Sequence, residues 1–292
     1  MQRVLIFLGI FTLLSCNHGT SDEGTKVVTV SIAPFKYFTQ EIAGDDFKVN
    51  VMVPPGADPH IYEPYPEQIN QLGRSVAYIS NGYLGFEMVW LERFYDINES
   101  MLKLSLSDDI EPLESVHNHG TRDFHTEGAD PHFWVSPKCA MKIASSIKEL
   151  LCKLNPEARA KYEENYTGLV MKIAEADRRA QSLLSGFRGK SFMIYHPNLG
   201  YLARDYGLHQ VAVESEGKEP PPSRMKELID LARMENLKTI FVQKEYDTRN
   251  AKTIADEIGA DILVIDPLSE DWFQSTMDII TALHNSLNNS KK

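Results

Sequence analysis

Short runs rich in β-branched and aromatic residues alternate with stretches of helical apolar spacing along most of this chain. The runs predict strands at residues 27–32, 49–53, 76–80, 192–195, 210–213, 239–242 and 262–265. Helical spacing is clear at residues 66–72, 223–234 and 251–258. Because alternating strands and helices are typical of parallel sheets covered by helices, the pattern predicts an α/β fold with mainly parallel sheets.

The centre of the chain has a different pattern. Residues 137–154 carry apolar side chains at helical spacing, the dipeptide at 155–156 (Asn-Pro) interrupts it, and residues 157–185 contain no proline and many good helix formers. A helix of nearly 30 residues would be about 43 Å long. We therefore expect two α/β lobes joined by one long rigid helix; the alternative is a further surface helix of a single domain. The expected limits are 26–155 for the N-terminal lobe, 156–186 for the linking helix and 187–292 for the C-terminal lobe.

The beginning of the chain resembles a secretion signal. A positively charged start precedes an apolar run at residues 4–14, which is too short to span a bilayer permanently. The sequence LLSC at residues 13–16 resembles the bacterial lipobox, where cleavage precedes a cysteine that carries lipid. An ordinary signal peptide with a chance cysteine is the alternative. We expect a signal peptide over residues 1–16, lipidation at Cys16 and a flexible tether over residues 17–25, with this anchor as the only membrane attachment.

The net charge of the chain limits the classes of binding partner that we expect. The formal net charge of −11 argues against nucleic acid and against an anionic membrane surface as binding partners. A negative surface suits a carrier of cations, although most acidic proteins carry none.

The two remaining cysteines, Cys139 and Cys152, fall in one predicted helix. Thirteen residues along a helix span about 20 Å, which is too far for a disulfide. We expect both thiols to be reduced and packed in the core.

Two histidines stand in identical tripeptides, Asp58-Pro59-His60 and Asp130-Pro131-His132. One such tripeptide is expected by chance in roughly one chain in a hundred of this length. Proline restricts its own backbone and that of the preceding residue, so the histidine leaves the chain in a defined direction. The aspartate could orient the imidazole of a metal ligand. For the second copy, the alternative is a helix start with Asp130 as the N-cap.

Two further candidates end predicted strands, each directly before a proline: His196 and Asp266. Open α/β sheets bind ligands at this edge. Either side chain could instead serve packing or cap the following turn. Glu214 and Glu245 are further strand-end carboxylates and stand as substitutes for the fourth ligand.

A segment without apolar periodicity, residues 114–127, contains His117, His119 and His125. Short histidine-rich tracts suggest metal binding, so an accessory metal loop is one interpretation and a solvated loop is the other.

Several of these segments together resemble the zinc-binding receptors of ABC importers, the ZnuA-like and TroA-like members of the metal-receptor cluster. The segments span almost the whole chain beyond the tether and are specific as an ordered set. They are VPPGADPHIYEPYP (53–66), DPHFWVSP (130–137), YHPNLGYLARDYGL (195–208), GKEPPPSRMKELI (217–229) and IDPLSEDW (265–272).

The resemblance implies a metal site in the cleft between the lobes, with the histidines matching His60, His132 and His196 as ligands. The fourth position in the family is an acidic residue, matched by Asp266, or water. It also implies a monomeric receptor in the periplasm or on the cell surface, whose partner is an ABC permease. The sequence departs from the family at Leu199 and Leu202, where aromatic residues are usual, and at Gln243, where glutamate is common.

Three imidazoles with a carboxylate or water suit tetrahedral zinc. Manganese receptors of the family resemble this frame but place a carboxylate where His196 stands. We therefore expect zinc capture and delivery to a permease. The alternatives are a receptor for manganese or another divalent metal, a metal-buffering or adhesion lipoprotein, and a zinc hydrolase. The absence of a His-Glu-x-x-His motif disfavours the hydrolase.

Overall fold

The computed structural model describes residues 25–113, 128–214 and 220–290. Within them lie two sheets of four parallel strands, in the orders β2-β1-β3-β4 and β6-β5-β7-β8. This confirms the predicted two-lobe α/β fold; the residue limits expected for each lobe stay predictions. The strands are β1 (Val27–Val30), β2 (Lys48–Val51), β3 (Ser75–Ser80), β4 (Leu102–Ser105), β5 (Ser191–Ile194), β6 (His209–Ala212), β7 (Thr239–Gln243) and β8 (Asp261–Ile265).

Helices cover both sheets, and several begin where the sequence places a proline. Proline occupies the first or second position of α1, α2, α4 and α7, where its missing N–H costs no helical hydrogen bond. The helices are α1 (Ala33–Ala43), α2 (Pro66–Leu72), α3 (Gly85–Ile97), α4 (Pro137–Leu154), α5 (Arg159–Leu184), α6 (Gly200–Tyr206), α7 (Pro222–Met234), α8 (Arg249–Ile258) and α9 (Trp272–Asn289). In the described ranges, none is both long and apolar enough to cross a bilayer.

The long central helix is α5, with 26 residues and a length of about 39 Å. It follows a short 3-10 turn at Pro156–Ala158 and ends in another at Ser185–Phe187. One stripe of its surface packs on α1, α4 and α9, and the opposite side is solvated. The stripe consists of the buried residues Tyr162, Leu169, Ile173, Ala176, Ala180 and Leu184. The helix therefore stiffens both lobes along one side.

Buried tryptophans join the lobes directly. The Trp134 Nε1–H donates to the carbonyl of Pro267 at 2.9 Å, and the Trp272 Nε1–H donates to the carbonyl of Trp134 at 2.7 Å. The Tyr201 hydroxyl adds a third link, since it donates to the carbonyl of Asp130 at 2.9 Å. One hydrophobic core runs from the first sheet through α5 to Phe192 and α9.

Both cysteines behave as expected. Cys139 and Cys152 are free and buried in α4. Burial raises the pKa of the Cys139 thiol to about 11. The Cys139 thiol is therefore not a reactive group.

Candidate metal centre

The loops at the carboxyl ends of the strands bring three histidines together. His60 lies between β2 and α2, His132 lies just before a 3-10 helix at Phe133–Val135, and His196 follows β5. Their Nε2 atoms are 3.2 Å (His60 to His132), 3.2 Å (His60 to His196) and 3.3 Å (His132 to His196) apart. The rings of His132 and His196 are buried, and His60 is half-buried. Side chains from both lobes thus converge on one point.

The two Asp-Pro-His tripeptides share one local geometry. In each, the aspartate Oδ1 accepts the backbone N–H of the histidine two residues later at 2.8 Å, as Asp58 does for His60 and Asp130 does for His132. The N-cap interpretation of Asp130 is wrong, because the next helical turn starts after His132 and has no side-chain cap. In both copies of the tripeptide, the aspartate therefore fixes the backbone of the histidine.

Buried carboxylates orient two of the three rings. The Nδ1 atoms of His132 and His196 lie 2.7 Å from Asp130 Oδ1 and 2.5 Å from Glu214 Oε1. Each carboxylate can only accept, so the ring Nδ1 carries the proton, and a neutral ring then has an unprotonated Nε2. Glu214, considered above as a substitute ligand, is thus the hydrogen-bond partner of a ring. The strand order explains this contact, because Glu214 follows β6, and β6 is the neighbour of β5, the strand that precedes His196.

The environment keeps His132 neutral. Burial lowers the pKa of its imidazole, and the nearby carboxylate of Asp130 opposes this effect without reversing it. The Tyr246 ring stacks on His196 with centroids 5.0 Å apart. Burial raises the pKa of Tyr246 far above its usual value, so that the ring stays a neutral phenol.

Gln243 holds the backbone of His196 from the adjacent strand β7. Its Oε1 accepts the His196 N–H at 3.3 Å, and its Nε2–H donates to the His196 carbonyl. A glutamate at this position could accept but not donate. The glutamine that stands here in place of the glutamate common in the family therefore binds both the N–H and the carbonyl of His196.

Asp266 lies outside the group of three histidines, whose ligand atoms are within 4.8 Å of one another. It follows β8, and β7 separates that strand from β5, which places the strand ends about 9.6 Å apart. Its Oδ2 accepts from the Lys244 ammonium at 3.0 Å. Asp266, Lys244 and Glu245 all line a cavity of about 170 Å³ between the lobes. Asp266 as fourth ligand stays a prediction.

His117, His119 and His125 of the histidine-containing segment and the lipidation candidate Cys16 lie outside the described residues.

Comparisons with known proteins identify the family of this chain. The family model of ZnuA, "Zinc-uptake complex component A periplasmic", matches residues 28–288. The "Zinc-binding lipoprotein AdcA" of Streptococcus pneumoniae (strain ATCC BAA-255 / R6) is 28% identical over 279 residues, covering 92% of this chain and 55% of that protein. The "Zinc-binding protein AdcA" of Streptococcus pyogenes serotype M3 is 26% identical over 290 residues, with 91% and 55% covered. The chain thus spans about half the length of these curated relatives.

Solved structures show the same fold. A crystal structure of ZnuA superposes with a TM-score of 0.82 at 34% identity and covers 90% of this chain and all of its own. A manganese-bound periplasmic metal-binding protein from Candidatus Liberibacter asiaticus has a TM-score of 0.77 at 23% identity, with 90% and 99% covered. The match along residues 28–288 and the converging histidines lead to one conclusion: this chain belongs to the ZnuA family, the periplasmic A components of zinc-uptake complexes.

Proposed function

We propose that this protein captures one zinc ion with the Nε2 atoms of His60, His132 and His196 outside the cytoplasmic membrane and delivers it to an ABC permease. One observation carries the proposal: the three Nε2 atoms form a nearly equilateral triangle with sides of 3.2 to 3.3 Å. In tetrahedral zinc with Zn–N bonds of 2.0–2.1 Å, two ligand nitrogens lie about 3.3–3.4 Å apart. The triangle therefore has the size of one face of a zinc tetrahedron.

The protonation pattern supports a cation at the centre of this site. With Nδ1 protonated, the Nε2 atoms of His132 and His196 cannot donate to each other across their 3.3 Å separation. Their lone pairs face each other in a buried place where water screens poorly. A divalent ion bound to both nitrogens removes this repulsion.

For the fourth position we propose a water molecule. Asp266 lies outside the group of three histidines, at the end of β8, which β7 separates from the strand that precedes His196. An Asp266→Asn variant that keeps wild-type zinc affinity supports water as the ligand. A loss of affinity of a hundredfold or more, comparable to that of a histidine variant, would instead identify Asp266 as the ligand.

Zinc is favoured over manganese by the donor atoms. Imidazole nitrogens suit zinc, copper and nickel, whereas manganese prefers oxygen ligands. Copper and nickel are expected to bind in vitro as well, because affinity for divalent metals follows the general ligand series.

The proposed setting rests on the relatives and on the start of the chain. The streptococcal relatives are named zinc-binding proteins, one of them a lipoprotein, and LLSC at residues 13–16 fits lipidation at Cys16. A zinc hydrolase is disfavoured because the two carboxylates beside the rings, Asp130 and Glu214, already accept the Nδ1–H groups. No activity of the zinc-loaded protein is expected on a panel of ester, peptide and phosphate substrates.

The test is metal analysis with zinc titration of the wild type and of His60→Ala, His132→Ala and His196→Ala. Each variant is expected to lose tight one-to-one binding, whereas His209→Ala, an exposed histidine on β6, should bind as the wild type does. The same titrations with manganese decide the metal. If all three site variants retain tight zinc binding, the site is misassigned.

A further inference from the structure

A buried polar pair lies where β3 leads into α3: Asn81 in the connecting turn and Glu87 in the first turn of the helix. Neither residue is a ligand in the proposed site. We propose that Asn81, held by Glu87, is a positioning residue that fixes the second Asp-Pro-His tripeptide to the 81–86 segment, which also holds the first, and so helps to preform the N-terminal half of the metal site. The inference rests on the proposed function and concerns the same site.

Glu87 is the anchor of this turn. Its side chain is only 1% exposed, yet it accepts four hydrogen bonds. Its Oε2 accepts the Gly82 N–H at 2.7 Å, and its Oε1 accepts the Asn81 N–H at 3.0 Å. The Tyr78 hydroxyl at 3.2 Å and the Ser31 hydroxyl complete the set. A buried carboxylate with four donors fixes the backbone of the turn in one conformation.

Asn81 links this anchored turn to the second tripeptide. Its side chain is fully buried, and both ends are used. The Oδ1 accepts the Tyr83 N–H at 3.0 Å within the turn, and the Nδ2–H donates to the carbonyl of Pro131 at 3.0 Å. That carbonyl belongs to the peptide bond between Pro131 and His132. The hydrogen bond therefore fixes the orientation of this peptide plane and, with it, the direction in which the His132 side chain leaves the backbone.

The same turn also holds the first tripeptide. The Phe86 N–H donates to the carbonyl of Pro59 at 3.3 Å. Gly85 packs so closely on His60 that an added Cβ would lie 2.4 Å from the His60 carbonyl oxygen. The prolyl carbonyls of both tripeptides are therefore bound by one short segment, residues 81–86.

A preformed half-site has a defined consequence for binding. His60 and His132 are each fixed on one side by the aspartate of the tripeptide and on the other by the 81–86 turn. Zinc then binds without ordering these two loops, and ligand groups held near their productive geometry bind metal more tightly. Removing the link at Asn81 should weaken binding although no ligand atom is lost.

The experiment compares Asn81→Ala with Asn98→Ala. Asn98 is a matched control in the same lobe, since its Nδ2–H groups donate to the carbonyls of Gly73 at 3.2 Å and Ser75 at 2.9 Å but reach neither tripeptide. Both variants lose side-chain hydrogen bonds to backbone carbonyls, buried for Asn81 and part-buried for Asn98, and should unfold at lower temperature. Only Asn81→Ala is expected to bind zinc more weakly, by about ten- to a hundredfold, in competition with a chromophoric chelator. Its cobalt(II) absorption bands should also shift.

Three outcomes would overturn the inference, and a fourth would refute the proposed function. A folded Asn81→Ala protein with wild-type zinc affinity and an unchanged cobalt spectrum overturns the inference, and so does an equal loss of affinity in Asn98→Ala. If Asn81→Ala does not fold, Glu87→Gln replaces it, because the amide keeps the shape but sets an NH2 group against a backbone N–H; unaltered affinity there overturns the inference. Failure of the wild type to bind zinc would instead refute the proposed function.

Discussion

At the scale of single residues, each ligand is fixed through its neighbours. His60 and His132 depend on the aspartate two residues earlier, and His196 depends on Glu214 and Gln243 from adjacent strands. The rings of His132 and His196 are in addition oriented by hydrogen bonds from Nδ1 to a carboxylate. Changes to these partners should alter metal binding more than they alter folding.

The first prediction concerns Glu214. Glu214→Ala removes the acceptor of the His196 Nδ1–H, so the ring can rotate or carry its proton on Nε2. Loss of such a partner typically weakens metal affinity about ten- to a hundredfold. Zinc competition titrations measure the loss. Glu227→Ala, which removes an exposed carboxylate from the same lobe, should leave the affinity unchanged. Equal losses in both variants would point to net charge as the cause.

The second prediction concerns Gly85. In Gly85→Ala the new methyl meets the backbone of His60, which has to move. We expect a destabilisation of about 1–3 kcal/mol together with weaker zinc binding. Gly168→Ala is the control, because nothing lies within 4 Å of a Cβ at that position of α5, and alanine there should stabilise the helix by about 0.5–1 kcal/mol. Thermal unfolding and zinc titration of both variants test the contrast. Wild-type affinity in Gly85→Ala would contradict the close packing on His60.

The third prediction concerns pH. Imidazole binds zinc only when neutral, so affinity should fall as pH drops below about 6.5, where histidine ordinarily gains a proton. The lowered pKa of His132 moves the contribution of that ring to more acidic pH. Calorimetric titrations at pH 7.5 and pH 5 should show much weaker binding at the lower pH. Equal affinity at both would exclude a site made of imidazoles.

At the scale of elements, α5 is the clearest structural support. Ile173 is fully buried in its packed stripe. Ile173→Ala should destabilise the protein by about 2–5 kcal/mol, because it leaves a cavity between helices. Zinc affinity at low temperature should stay unchanged, since the helix holds no ligand. Met171→Ala, on the exposed side of the same helix, should change neither property. Denaturant unfolding and zinc titration separate these effects, and a loss of affinity in Ile173→Ala would show that α5 controls the site.

The elements also show how far sequence alone reaches. Seven strands and α5 were predictable because their apolar runs and helical spacing are strong local signals. β4 was not predicted, since its short sequence LKLS carries a charged residue and lies at the sheet edge. His196 and Asp266 end strands in the same way, but the order of strands, which no local pattern encodes, sets β7 between them. The same lateral order decides that Glu214 meets His196.

At the scale of the whole molecule, the hydrogen bonds that Trp134 and Trp272 donate from one lobe to the other resist separation of the lobes. Their geometry, with the shared core along α5, favours small loop movements over wide opening.

The corresponding prediction uses Trp134→Phe, which keeps an aromatic ring but removes the donor to Pro267. Leaving that buried carbonyl without its partner should cost about 1–3 kcal/mol of stability, and zinc should dissociate faster because the lobes part more readily. Stopped-flow release into a chelator measures the rate. Trp90→Phe, in α3 and away from the lobe interface, is the control. An unchanged rate in Trp134→Phe would show that the Trp134–Pro267 hydrogen bond does not control release.

In the proposed delivery of zinc, the unequal exposure of the three histidines would set the direction in which the ion is handed over. His132 and His196 are buried, while His60 is half-buried. An incoming donor from an acceptor protein would meet the metal on the His60 side and substitute that bond first. The ion would then pass across by stepwise ligand exchange, still tethered to the two inner rings until the new coordination sphere is complete.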